Sequence, residues 1–396
     1  MRGPLALKWT SFCLILIHFL LLGGLGLLSG CGGSSSSPPI LIAYLSQSGD
    51  DHATWEQQRQ GVILAVEEAN QGTDKVGQRE VVALVPEPVP QEDMLQAEAV
   101  RLLAVNKVAA LLGGENVAAT ERLAKIAPTY NVPVLTTASL PAPAIQPYTF
   151  TLDVCPPDQG RALATFARED AQARRVAVLV EHQERWGRAL AEAFIQALSA
   201  HDGLEVRRWN LSAPDDVTEI IPPLVSWQPD TVLLAGKDEC LSVIHALTNP
   251  MSEKPLREPV AFLLGGLATR RVAPLATSLS GLEIPHSLYQ ATVFTPRADM
   301  DTIQTFTRTY EQRFGQFPDA PAALAYDSVR LLLTTMRQAG TTDGPAIRRA
   351  LAQTRDFPSL TGPLSIGANH WTHRPVFILH WRKGETKVVR RFEGSK

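Results

Sequence analysis

The chain opens on one long apolar block and then breaks into short alternating ones. Between residues 12 and 28 nearly every position is apolar or glycine. From residue 40 onward, short apolar runs are separated by stretches with helical spacing. Residues 40–45 read as a strand, and a polar loop follows over 46–54. Over 55–70, Val62, Ile63, Ala65, Val66 and Ala69 fall on one side of a helix. A strand at 81–85, a helix at 91–105, a strand at 108–112 ending in Gly113-Gly114, a helix at 116–130 that Asn116 can cap, and a strand at 132–136 complete a first array. The strand at 148–153 leaves it. The alternation then restarts with helix 158–171, strand 175–180, helix 186–200, strand 204–209, helix 215–227, strand 230–235, helix 238–248 and strand 260–264, which ends in Gly265-Gly266. Continuous apolar strands alternating with helices predict parallel sheets covered on both faces, so the fold class is α/β, with two doubly wound Rossmann-like lobes.

After residue 288 the order changes. A strand at 289–294 precedes helices at 299–314, 320–338 and 345–354, and strands at 363–366, 375–381 and 386–392 end the chain. Arg382-Lys383-Gly384-Glu385 makes the hairpin turn between the last two. The helices are expected to cover the first lobe and the strands to extend the second.

The apolar block has its own meaning. Arg2 and Lys8 precede it, and Leu28-Ser29-Gly30-Cys31 follows it. A basic start, an apolar stretch and a small-residue cleavage site form an export signal over 1–30. An uncleaved membrane span is the alternative, since the block approaches the ~18 residues a span needs. The Cys after Leu-Ser-Gly resembles a bacterial lipobox, which makes Cys31 the acylated first residue of the mature chain. Acyl chains contribute ~0.8 kcal/mol per buried methylene. Residues 31–39, rich in Gly and Ser and closed by Pro38-Pro39, are then a lipidated tether. Gly32 after the Cys permits, by the same resemblance, sorting to an outer membrane.

Composition narrows the function. At 45% hydrophobic and 19% charged, the chain has material for real cores, and residues 40–396 suffice for two ordinary domains. A net charge of −3 gives no electrostatic case for nucleic acid. Cys155 and Cys240 remain in the body and either pair or sit as two small buried thiols. No Gly-x-Ser-x-Gly elbow, His-Glu-x-x-His or phosphate loop occurs, so neither an enzyme nor a cofactor is expected. His370, His373 and His380 lie close together near the end. Without a Cys beside them they read as solvated loop and edge-strand residues, and no metal centre is expected.

Several short segments carry a family resemblance. Val66-Glu67-Glu68-Ala69-Asn70 with Gly72 and Gly77 is similar to the signature of the branched-chain amino-acid binding proteins. In the same order follow 108–113 with Thr120, Val132-Pro133-Val134, Asp158-Gln159-Gly160, Trp186-Gly187, Gln228-Pro229-Asp230, Ala325-Tyr326-Asp327 and Thr361-Gly362-Pro363-Leu364. The chain thus resembles a type I periplasmic solute-binding protein in lipoprotein form. The resemblance implies a hinge crossed three times, near residues 151, 292 and 354–361. Lobe 1 is then 40–151 plus 295–354, and lobe 2 is 152–291 plus 361–396. It also implies an extracytoplasmic protein, anchored by its N-terminal lipid, whose partners are a small molecule and an ABC permease.

In open α/β sheets, ligands sit beyond the carboxyl ends of the strands. That selects loops 46–55, 113–120 and 136–140 in lobe 1, and 181–186, 236–240 and 265–270 in lobe 2. The candidate ligand-binding residues are Trp55, Gly113, Gly114, Asn116, Val117, Thr137, Ala138, Ser139, Trp186, Lys237 and Leu267. Gly113-Gly114-Glu115-Asn116 offers either a helix amino terminus for an anion or a plain capped turn. Trp55 and Trp186 either sandwich a ligand or pack in cores. The family's amino-acid binders place a Ser where Val117 stands, a Thr where Leu140 stands, a carboxylate where Leu267 stands, and an aromatic where Lys237 stands. An ammonium in a closed cleft needs a partner. The expected solute is therefore amino-acid-like, amide or anionic, with free zwitterionic amino acids bound poorly. The alternative is a degenerate fold serving as a sensor or an envelope scaffold.

Overall fold

The structure, a computed structural model, describes residues 37–47, 52–72, 75–114, 116–138, 146–181, 185–211, 216–236, 238–247, 258–266, 272 and 286–394. The apolar block, Cys31, Ser139, Lys237 and Leu267 lie outside these residues, as does Leu140.

Strand β1 (Ile40–Leu45) is buried at every position but Leu41 and takes an inner place in the first sheet. The sheet order is β2 (Val81–Leu84), β1, β3 (Ala110–Gly113), β4 (Val134–Thr136), β5 (Thr149–Thr151), all parallel. The register pairs Leu45 with Gly113, Gly113 with Thr136 and Thr136 with Thr151, so these carboxyl ends share one edge. Helices α1 (His52–Gln71), α2 (Glu92–Val100) and α3 (Val117–Ile126) alternate with the strands.

The second sheet runs β15 (Glu385–Phe392), β14 (Val376–Arg382), β10 (Ser287–Thr292), β9 (Ala261–Gly265), β8 (Thr231–Ala235), β6 (Arg175–Glu181), β7 (Glu205–Leu211). Val176, Val178 and Val180 face one core, while Ala177 and Leu179 face another. Burial on both faces is why this run is continuously apolar and does not alternate. Helix α4 (Pro156–Glu169) leads from the first sheet into β6, and α5 (Arg185–Ser199), α6 (Asp216–Trp227) and α7 (Asp238–Leu247) connect the parallel strands. Helix α4 starts two residues earlier than its spacing predicts, because Cys155 is the capping residue and proline suits the first turn.

Helices α8 (Asp301–Phe314), α9 (Ala320–Ala339) and α10 (Gly344–Ala352) return to the first lobe, α9 packing along α1. A Cβ on Gly61 of α1 would lie 2.2 Å from the Ala322 carbonyl oxygen. In the second lobe, a Cβ on Gly160 of α4 would lie 2.3 Å from the Leu190 carbonyl oxygen of α5. Each lobe thus brings two helices to backbone contact at a residue without a side chain.

Strands β14 and β15 extend the second sheet, as the pattern predicts, with β14 antiparallel to β10 and β15 antiparallel to β14. The strand predicted at 363–366 does not join them. As β12 (Gly362–Ile366) it pairs with β11 (Phe357–Ser359) and β13 (Thr372–His373) in a separate three-stranded sheet. The tight turn at Leu360-Thr361 folds it back on β11, which satisfies its backbone there. The chain passes from the first sheet to the second after Thr151, returns after Thr292, and crosses again after Ala352 through this small sheet. Among the described residues no helix is long and apolar enough to cross a membrane.

Candidate functional site

At the carboxyl edge of the first sheet a polar network fixes the rim. Tyr44 near the end of β1 donates its hydroxyl to Gln58 Oε1 of α1 at 2.5 Å. Gln58 Nε2 donates to Thr137 Oγ1 beyond β4 at 2.6 Å. All three side chains are buried, so these bonds act in a low dielectric. Beside them the Gly114 carbonyl accepts from Thr136 Oγ1 at 3.0 Å, and Thr120 Oγ1 lies 3.1 Å from Thr136 Oγ1. Ala138 donates its N–H to Thr136 Oγ1 (3.0 Å) and accepts from Thr151 Oγ1 (2.6 Å). Asn116 caps α3, its Oδ1 accepting from the Ala119 N–H at 2.9 Å. Val117 opens the helix, half-buried and with a hydrocarbon side chain. Gly114, Thr137, Ala138 and the start of α3 are therefore brought together, and Gly113 lies behind them as the last residue of β3. The Ser46 hydroxyl at the end of β1 is buried and has no hydrogen-bond partner among the described residues.

The rim of the second lobe shows close packing on glycine backbone. Trp186 sits in the first turn of α5, and a Cβ on Gly266 would lie 2.0 Å from its ring. Gly266 adopts φ +82°, a conformation glycine takes without strain. Trp186 is 8% exposed, and its Nε1 has no partner among the described residues. Glu181 ends β6 and is buried against the backbone of Gly236, where a Cβ would lie 2.5 Å from its carboxyl carbon.

The rims meet. Arg185, next to Trp186, forms an ion pair with Glu121 of α3, one turn in from Val117. The starts of α3 and α5 therefore lie within the reach of one side chain on each.

The sequence profile described as periplasmic binding protein matches residues 40–386. The chain belongs to the periplasmic binding protein family. No protein of curated function matches the sequence. Among solved structures, it is similar to a leucine-binding protein of Thermotoga maritima, with TM-score 0.72 and 22% identity over 89% of this chain and 99% of that one. A branched-chain amino-acid transporter substrate-binding protein of Streptococcus pneumoniae, in complex with isoleucine, has TM-score 0.69 and 19% identity over 90% and 99%. An ABC-transporter solute-binding protein of R. palustris, in complex with benzoate, has TM-score 0.69 and 16% identity over 90% and 97%. The type I periplasmic binding protein fold, with two lobes, is common to them.

A two-lobed member of this family moves at the segments that join its lobes. Here those segments meet at an ion pair with both side chains fully buried. Arg374 Nη2, just beyond β13, donates to Asp327 Oδ2 of α9 at 2.9 Å and to Thr361 Oγ1 at 2.9 Å, and Nη1 donates to the Leu152 carbonyl at 3.1 Å. Asp327 also accepts from the Leu360 N–H at 3.1 Å. One guanidinium thus ties the crossing after β5 to the crossing before β14. Nothing in local sequence marks Arg374 as buried. Gln58 gave only a faint signal, a polar residue on the face of α1 that carries Val62 and Ala65.

Trp55 lies in the first-lobe core at 4% exposure, under His52 (ring centroids 5.3 Å apart) and beside Arg59. The terminal histidines are not solvated edge residues. His370 stacks on Phe150 and His380 on Tyr289, and burial lowers the pKa of both. His373 lies against Asp158 and Cys155, and Cys155 is a free, buried thiol whose pKa burial pushes up.

Proposed function

We propose that this protein is an extracytoplasmic receptor, held at a membrane by a lipid on Cys31, that closes its lobes on a small solute and presents it to the permease of an ABC importer. The observation that carries this reading is the Arg185–Glu121 pair, which sets the start of α3 opposite Trp186. On one side, Gly114, Asn116 and Val117 offer a helix amino terminus, where free N–H groups and the helix dipole favour a carboxylate or amide oxygen. On the other side stands Trp186, an aromatic whose N–H has no partner among the described residues. The Ser46 hydroxyl is a second polar group without a partner among the described residues. Thr137, Ala138 and Gly113 hold the rim in shape, and Ser139, Lys237 and Leu267 are assigned to the site from the sequence alone. Val117 supplies no hydroxyl, so a free zwitterionic amino acid has fewer polar partners here than an amide or an anion.

The test is native mass spectrometry of protein from its own host, paired with calorimetry. A co-purifying small molecule that Trp186→Ala releases is the expected result. Protein that carries nothing, and takes up nothing from a panel of amides and aromatic or aliphatic carboxylates, would sink the receptor reading. Micromolar binding of leucine or valine would instead overturn only the solute class.

A further inference from the structure

The three terminal histidines carried no expectation of a metal because the sequence places no cysteine near them. The fold supplies one from 218 positions away. Cys155 Sγ lies 3.8 Å from His373 Nδ1, and that nitrogen lies 2.7 Å from Asp158 Oδ2. All the ligand atoms of the trio fall within 4.8 Å of one another. We propose that Cys155, Asp158 and His373 form a binding site for a zinc-class divalent cation at the hinge.

The geometry follows from the backbone. Cys155 caps α4 and Asp158 stands three residues on, in its first turn, so both point to the same side. Strand β13 is held beside them by the Val154–Thr372 bridge and by the Cys155 N–H, which donates to the Thr372 carbonyl at 3.1 Å. His373 therefore reaches the capping turn by register. In a tetrahedral zinc site, metal–ligand bonds of about 2.0–2.3 Å put donor atoms ~3.3–3.6 Å apart. The sulfur–nitrogen distance would shorten by ~0.3 Å and the nitrogen–oxygen distance lengthen by ~0.6 Å, both within side-chain rotation.

Chemistry selects the metal class. A thiolate, an imidazole and one carboxylate suit zinc or cobalt, whereas magnesium and calcium call for oxygen donors alone. The thiolate and the carboxylate together neutralise a dication, so the loaded site adds no net buried charge. On binding, the Cys155 S–H proton leaves to solvent as the S–metal bond forms, and the His373 proton moves from Nδ1 to Nε2. Arg161 pairs with Asp158 Oδ1, while Oδ2 is the oxygen turned to His373. Cys155 and Asp158 are buried, but His373 is 24% exposed, so the cation has an entry side and a fourth position open to water. The cation would bind the crossing after β5 to the segment leading into β14, next to Arg374.

Cobalt(II) is the probe, added to the full, reduced, metal-stripped chain. The expected result is one equivalent bound, with a near-ultraviolet thiolate-to-cobalt charge-transfer band that zinc abolishes. Cys155→Ser should eliminate the band, and His373→Gln should weaken binding by about 100-fold. Far-ultraviolet circular dichroism checks that both variants fold. The absence of the band in the unmodified chain, or its survival in Cys155→Ser, overturns the site.

Discussion

The rims of the two lobes are made of different materials. In the first lobe, Tyr44, Gln58 and Thr137 form a buried hydrogen-bonded chain, and Thr136 and Thr120 hold the Gly114 carbonyl beside it. In the second lobe, the Trp186 ring lies against Gly266 and the Glu181 side chain against Gly236, two close contacts with glycine backbone. Hydrogen bonds fix direction, so the first rim can present backbone donors at set angles. Packing fixes area, and the indole N–H has no partner among the described residues, so the second rim presents a surface. A binder that closes by hinge motion gains from this division, because one half can orient a solute that the other half covers.

The comparison breaks first at the joint between the halves, where the largest effect is expected. Asp327→Ala leaves Arg374 as an uncompensated charge with no exposure to water. Loss of a partner in such a site costs about 3–5 kcal/mol. Urea unfolding should shift by that amount. A shift below ~1 kcal/mol would mean that water or another carboxylate reaches the guanidinium.

The rims themselves should then respond in opposite ways. Gln58→Leu removes the acceptor of the Tyr44 hydroxyl and the donor to Thr137, at a cost of about 1–3 kcal/mol. Gly266→Ala, at φ +82°, should cost about 1–2 kcal/mol through the backbone and must also push the Trp186 ring aside. If rim one orients and rim two covers, Gln58→Leu lowers the unfolding midpoint more, while Gly266→Ala weakens retention of the co-purified solute more. Equal losses of both kinds in both variants would erase the distinction.

The first rim was partly legible in the sequence and the second hardly at all. Gly113-Gly114-Asn116 followed from a strand end, a glycine pair and a capping residue, all of them local signals. Gln58 escaped notice because its partners, Tyr44 and Thr137, come from two other segments. Trp186 was marked as an aromatic at a helix start, but its seat on Gly266 depends on strands β6 and β9 meeting in one sheet. The apolar spacing at 363–366 marks a strand but does not say which edge it joins, and it pairs in the small sheet. Arg374 could not be read as buried, because only the folded hinge brings Asp327, Thr361 and Leu152 around it. Patterns report one element at a time, and sites made by crossings lie beyond their range.

The smallest effect on stability bears most directly on how the rims meet. The side chains of Arg185 and Glu121 are 45% and 29% exposed, so their ion pair is worth about 0.2–1 kcal/mol at most. Arg185→Gln should leave the unfolding midpoint nearly unchanged. It should still shift the balance between closed and open lobes, because the pair forms only where α3 and α5 are close. Small-angle X-ray scattering should report a larger radius of gyration for the variant. Salt near 1 M, which cuts the Debye length to ~3 Å, should expand the unmodified protein and leave the variant as it was. Exchanging the charges with Arg185→Glu and Glu121→Arg together should restore the compact form, whereas either change alone should open it further than Arg185→Gln. If the swapped pair stays open, the two helix starts are held together by something other than this ion pair, and the second rim contributes less to closure than its packing suggests.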